Sequence, residues 1–95
     1  MSLLGFTFAR IAGASMEPAL PDGSIALFRA RKRVEQGDVV LVDHPEFGLI
    51  VKRVRAVDED GGAWLEGSSP ASTSADKLGR VAAEQIRGTL LLRLI

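Results

Sequence analysis

Apolar and polar residues alternate along this chain over short stretches, and each stretch ends at a glycine, proline or aspartate. Alternation with a period of two is the signature of a strand with one buried face, whereas a helix repeats every 3.6 residues. Strands are predicted over residues 6–11, 24–29, 39–42, 49–57, 63–66 and 88–95, with a helical turn over 81–86. The breaks between them have a local cause. Pro21-Asp22-Gly23, Gln36-Gly37-Asp38 and Asp60-Gly61-Gly62 are turn formers, since proline presets φ and glycine admits positive φ. His44-Pro45-Glu46-Phe47-Gly48 predicts a five-residue hairpin loop, and residues 67–74, rich in Ser, Pro and Ala, predict a loop or poor order. Strands at this spacing, with neither internal repeat nor linker, predict one domain over residues 1–95, mostly β, a compact antiparallel β fold with little helix.

One residue breaks the pattern. In Leu49-Ile50-Val51-Lys52-Arg53-Val54-Arg55, one strand face carries Val51, Arg53 and Arg55 and the other Ile50, Lys52 and Val54. The face with two arginines suits solvent, which puts Lys52 on the apolar face. An ammonium buried there costs several kcal/mol unless it is paired or sheds its proton. Desolvation lowers a lysine pKa by as much as ~3–5 units in fully buried cases, and the neutral amine is then a base near pH 7. The alternative is a rim position from which the side chain snorkels to water.

Composition narrows the chemistry. The chain has 95 residues, no cysteine and one histidine, which excludes a disulfide framework, a thiolate nucleophile and a multi-histidine metal centre, so no metal or other cofactor is expected. Twelve basic residues balance twelve acidic ones, so no nucleic-acid partner is expected; the run Arg29-Ala30-Arg31-Lys32-Arg33 reads as a solvated face. No apolar stretch approaches the ~20 residues of a membrane span, and no signal-peptide layout opens the sequence. A soluble, cytoplasmic domain is expected unless an upstream anchor precedes it. His44 reads as a solvated loop residue rather than half of a Ser–His pair, and Trp64 as a packing residue.

Ser15 lies in Gly13-Ala14-Ser15-Met16-Glu17-Pro18-Ala19-Leu20, and taken alone a serine there is a turn residue. The string resembles the G-x-S-M-x-P-x-L block of the Ser–Lys proteases, the clan of signal peptidase I and the LexA-type self-cleaving repressors. Gln36-Gly37-Asp38-Val39-Val40 is similar to that clan's G-D-[IV]-V strand entry. Leu49-Ile50-Val51-Lys52-Arg53-Val54 is similar to its [IV]-K-R-V block, in which the lysine is the general base. Trp64-Leu65-Glu66-Gly67, the Ser-rich loop and Gly79 resemble the G-D-N…S-x-D-S-R…G block of signal peptidases. The resemblance implies the LexA/signal peptidase fold, Ser15 as nucleophile and Lys52 as base, and thus selects the lysine already singled out by its strand face. It also implies an oxyanion hole of backbone amides from Gly13, Ala14 and Ser15, and a late-loop hydroxyl orienting the lysine, either Ser74 or Ser72 according to register. Departures are visible too. Gly67-Ser68-Ser69 replaces G-D-N, and Lys77 follows Asp76 where an arginine is usual, so the Asp–Arg pair that braces this loop is absent or rebuilt.

The implied activity is that of a serine endopeptidase. Only 14 residues precede Ser15, without a helix-turn-helix pattern or a distant self-cleavage site, so a minimal, anchorless signal-peptidase relative is the closer likeness. Such relatives include those proposed to trim the precursor of nickel superoxide dismutase. The expected partner is a protein or peptide with small residues at −1 and −3, bound as an added strand. The alternative is a non-catalytic LexA-like C-terminal domain used for dimerisation or regulation, with the edge at residues 88–95 forming a homodimer.

Overall fold

The computed structural model describes residues 2–14, 16–30, 33–67 and 78–95. Its strands are β1 (Ser2–Leu3), β2 (Phe6–Arg10), β3 (Ile25–Arg29), β4 (Val39–His44), β5 (Gly48–Val57), β6 (Ala63–Glu66), β7 (Arg80–Val81) and β8 (Ile86–Arg93). All neighbours pair antiparallel in one eight-stranded sheet of order β1-β2-β3-β8-β4-β5-β6-β7. The mostly β, antiparallel expectation is met. A short 3-10 turn at Ala83–Gln85 occupies the predicted helical turn.

Two boundaries differ from expectation. The β4–β5 loop has three residues, Pro45, Glu46 and Phe47, because the ladder continues to a His44–Gly48 pair. The last strand starts at Ile86, where it pairs with Val42. β8 is inserted between β3 and β4, two strands adjacent in sequence, and irregular registers at Leu27/Phe28 and Leu41/Val42 flank it. Such irregularities increase local twist.

The sheet curls and buries apolar clusters on both faces. Val40, Val42, Val54, Ala63, Leu65, Leu78 and Val81 form one. Ile11, Met16, Leu20, Ala26, Phe28 and Leu41 form the other, with Val51 against it. Alternate residues of β4 therefore supply both cores, Val40 and Val42 one way and Leu41 the other. The second cluster joins the end of β2 to the β4–β5 hairpin, whose strands lie three and four places along the sheet, and that closure creates a cleft between them.

Candidate active site

The cleft, of about 360 Å³, is lined on one side by Ala9 to Ala14 and Met16, and on the other by Leu41, Phe47, the 49–52 segment and Leu78. Its first wall is the bend after β2. Glu17 N–H donates to Ala14 O (3.2 Å) and Leu20 N–H to Met16 O (2.9 Å), winding the chain tightly; the Glu17–Pro18 peptide is cis. Met16 and Leu20 are fully buried and root the bend in the core. Gly13 has φ +88°, a conformation that costs a side-chain-bearing residue of order 1–3 kcal/mol.

Ser15, Ser72 and Ser74 lie outside the described residues, as does the Lys77 substitution. The flanks of Ser15 do not. Ala14 and Met16 both line the cleft, and so does Lys52.

Gly13 N–H donates to Asp22 Oδ1 at 2.9 Å. The positive φ of Gly13 turns the chain. Asp22 ties the 21–23 turn back to the bend, a positioning role the sequence reading missed. Aspartate in a Pro-Asp-Gly turn normally caps its own turn, so the residue type signalled a backbone acceptor without indicating an amide nine positions away.

Lys52 is 5% exposed. Ile50 and Val54 share its strand face, and its partner across the ladder is Val40, completely buried. Burial pushes the amine below its ordinary value of 10.5 by desolvating its charged form. The aliphatic stem of Lys52 is thus packed away, and the residue lines the cleft wall. The cleft runs along the edge of β5, so Leu49 and Val51 from one face and Ile50 and Lys52 from the other all reach it.

Backbone polarity adds a second feature. Ile11 N–H donates to Ser24 O (2.8 Å) and Ala30 N–H to Gly5 O (2.8 Å), so odd-numbered residues of β2 face β3. Arg10 and Ala12 therefore turn their amides and carbonyls outward, where no described residue pairs with them. Across the cleft, Val54 N–H donates to Asp38 O (2.7 Å) and Gly37 N–H to Val54 O (2.9 Å), so even-numbered residues of β5 face β4. Leu49 and Val51 then present their backbone on the other edge, and β6 covers that edge only from Arg53 onward. Two strand edges thus border one cleft.

His44 is not the solvated loop histidine expected. It ends β4, is 5% exposed, and makes three hydrogen bonds. Glu46 and Phe47 N–H donate to Nδ1 (3.0 and 3.2 Å), which assigns the proton to Nε2, and Nε2–H donates to Leu78 O (2.8 Å). Both nitrogens are engaged, so His44 forms no Ser–His pair here.

Just beyond the late loop, Arg80 Nε donates to Asp58 Oδ2, and Gly62 and Asp60 N–H donate to Oδ1 of the same carboxylate (2.9 and 3.0 Å). An Asp–Arg pair therefore braces the 58–62 turn against β7, while Asp76 lies outside the described residues. The Arg80 hydrogen bond is the main cause that holds Asp58 below its ordinary 3.8.

Among the described residues, no three His, Cys, Asp or Glu side chains cluster as metal ligands, and no helix is long and apolar enough to cross a membrane. Compared with known proteins, residues 5–88 match a family model described as Peptidase S24-like. No curated protein and no solved structure matches the chain.

Proposed function

The chain belongs to the Peptidase S24-like family, and from that premise we propose that it is a serine endopeptidase with Ser15 as nucleophile and Lys52 as general base. The observation that carries this reading is the buried amine of Lys52, its proton affinity lowered, on the same cleft as both neighbours of Ser15.

A serine hydroxyl is a weak nucleophile until a base takes its proton. In the proposed reaction Lys52 Nζ accepts the proton as Ser15 Oγ attacks the scissile carbonyl. The oxyanion is held by backbone amides of the bend, that of Ser15 foremost. Collapse breaks the C–N bond, and the Lys52 ammonium protonates the departing amine. Water then attacks the acyl-serine, giving its proton to the same amine, and the second collapse returns Ser15 and releases the acid. Each step calls for an amine that is neutral at rest, which an apolar wall provides and a solvated lysine at pH 7 does not.

The late-loop hydroxyl that orients the amine is assigned to Ser74, with Ser72 in the other register. Leu78, where the described chain resumes, lines the cleft together with Lys52, which supports bringing this loop to the site. The substrate is an extended peptide that pairs its main chain with the outward backbone of Arg10 and Ala12, of Leu49 and Val51, or of both. Processing of a precursor protein, such as that of nickel superoxide dismutase, fits a site built this way.

The test is cleavage of a peptide library by wild type, Ser15→Ala and Lys52→Met. Loss of cleavage in both variants supports the assignment, and equal cleavage in all three removes it.

A second reading has its own observation. Phe8, Leu27 and Leu92 are aligned across β2, β3 and β8, and Phe8 and Leu92 are 49% and 44% exposed. This apolar row suits self-association by a LexA-like domain used for dimerisation. A stable dimer in analytical ultracentrifugation, dissociated by Leu92→Asp and without turnover, favours that role.

A further inference from the structure

The β4–β5 hairpin carries a feature that the proposed chemistry does not use. Phe47, at its tip, is 44% exposed, and Leu49, two residues on, is 63% exposed. Both line the cleft that Lys52 lines. Isolated exposed apolar residues are ordinary, but two on one wall of a cleft form a surface that gains by being covered.

The tip is also held in place. A neutral imidazole has one acceptor and one donor nitrogen, and His44 uses both within the protein. Its acceptor gathers the amides of Glu46 and Phe47, two and three residues on, as an aspartate or asparagine does in a turn. Its donor reaches Leu78 O, 34 residues on. The Phe47 ring packs on the imidazole with centroids 4.9 Å apart and planes tilted by 42°. His44 thus ties Phe47 and Leu78, two lining residues of the cleft, into one unit. An aromatic ring fixed in this way loses little freedom when a ligand covers it, so its contact area is expressed as affinity.

We propose that Phe47, held over the cleft by His44, is a specificity-determining residue that favours a bulky apolar side chain in the peptide segment lying along the β4–β5 hairpin. This rests on the peptidase reading and deepens it, since small residues at −1 and −3 leave other substrate positions to supply selectivity. His44 acts through Phe47 and is a positioning residue.

The experiment uses one peptide series in which each position in turn carries Ala, Leu or Phe. With wild type, one position responds, Leu or Phe exceeding Ala by about tenfold in kcat/KM, the discrimination expected when a side chain of that size is covered. Phe47→Ala reduces this preference to less than about twofold. His44→Asn keeps an acceptor for both amides and retains most of it, whereas His44→Ala loses it through KM with kcat little changed. An unaltered profile in Phe47→Ala overturns the proposal, as does a His44→Asn variant as defective as His44→Ala. Fluorescence anisotropy of the same peptides on Ser15→Ala separates the two ideas. If wild type cleaves no better than Ser15→Ala, the peptidase reading fails, and the anisotropy ranking with and without Phe47 still decides this one. Absence of binding by every peptide overturns both.

Discussion

Lys52→Met tests the central physical statement without a substrate. Methionine keeps an unbranched side chain of similar length and removes the ammonium. In the wild type Lys52 is 5% exposed, with Ile50 and Val54 on its strand face and Val40 opposite, and burial lowers its amine below 10.5 in the folded state. Between that lowered value and 10.5 the unfolded chain binds more protons at this position than the native protein does. Wild-type stability therefore rises with pH across the window, relative to a variant lacking the amine. Below it both states are protonated and the burial penalty is complete; above 10.5 both are neutral and it vanishes. The penalty is about 1.4 kcal/mol for each unit by which the folded value is lowered. Replacing buried ion pairs with apolar groups of similar volume ranges from neutral to stabilising by about 1–4 kcal/mol, and an unpaired desolvated amine lacks even the offsetting attraction of a pair. Lys52→Met should thus be more stable than wild type near neutrality, each kcal/mol appearing as roughly 4–8 °C in Tm for a domain of this size. Urea denaturation of both proteins at pH 6 to 11 measures the gap, other titrations cancelling in the difference. The gap should be widest at the acid end and close as pH nears 10.5. A gap that is constant with pH, or a Lys52→Met variant that is less stable throughout, would refute the reasoning. In active protein, kcat/KM should rise with pH through the same lowered value.

Further predictions concern the supports of the site. Asp22→Ala removes the acceptor for Gly13 N–H; stability should fall by about 0.5–1.5 kcal/mol in urea melts, and kcat by more than the loss of folded protein explains. At Gly88 an added Cβ meets Arg29 O at 3.1 Å and Phe28 Cβ at 3.3 Å, so Gly88→Ala must part β3 from β8. That overpacking should destabilise by about 1–3 kcal/mol, read as a lower urea midpoint. Arg80→Ala should weaken acid resistance. Asp58, held below 3.8 chiefly by Arg80, contributes stability above that value and loses it as pH falls through the lowered one, so the variant's acid-unfolding curve should lose this component.

Much of the fold could be read because its information is local. Alternation set the strands, and the Asp60-Gly61-Gly62 turn and the β5 face that carries Lys52 need only neighbours in sequence. Contacts made at a distance could not be read. His44 follows the end of a β-branched run and precedes proline, which looks like a loop; its burial depends on Leu78, 34 positions away. The hydrogen bond from Gly13 N–H to Asp22, nine positions on, has no local signal either. The cleft itself depends on β8 entering between β3 and β4 and on the resulting curl, neither of which has a local signal. The resemblance supplied what periodicity does not, a reason to join the bend at residues 13–16 to a strand some 37 positions later.

The two outward-facing strand edges have an evolutionary consequence. If a peptide lies along them as proposed, grip through amides and carbonyls would be indifferent to which residues it carries, whereas taste would reside in a few side chains along the lip, Phe47 and Leu49 among them. Anchorage and preference are then separate traits, inherited through different codons. Descendants of such a scaffold could then acquire new targets by exchanging lip residues while the proposed reactive pair and its turns stay untouched.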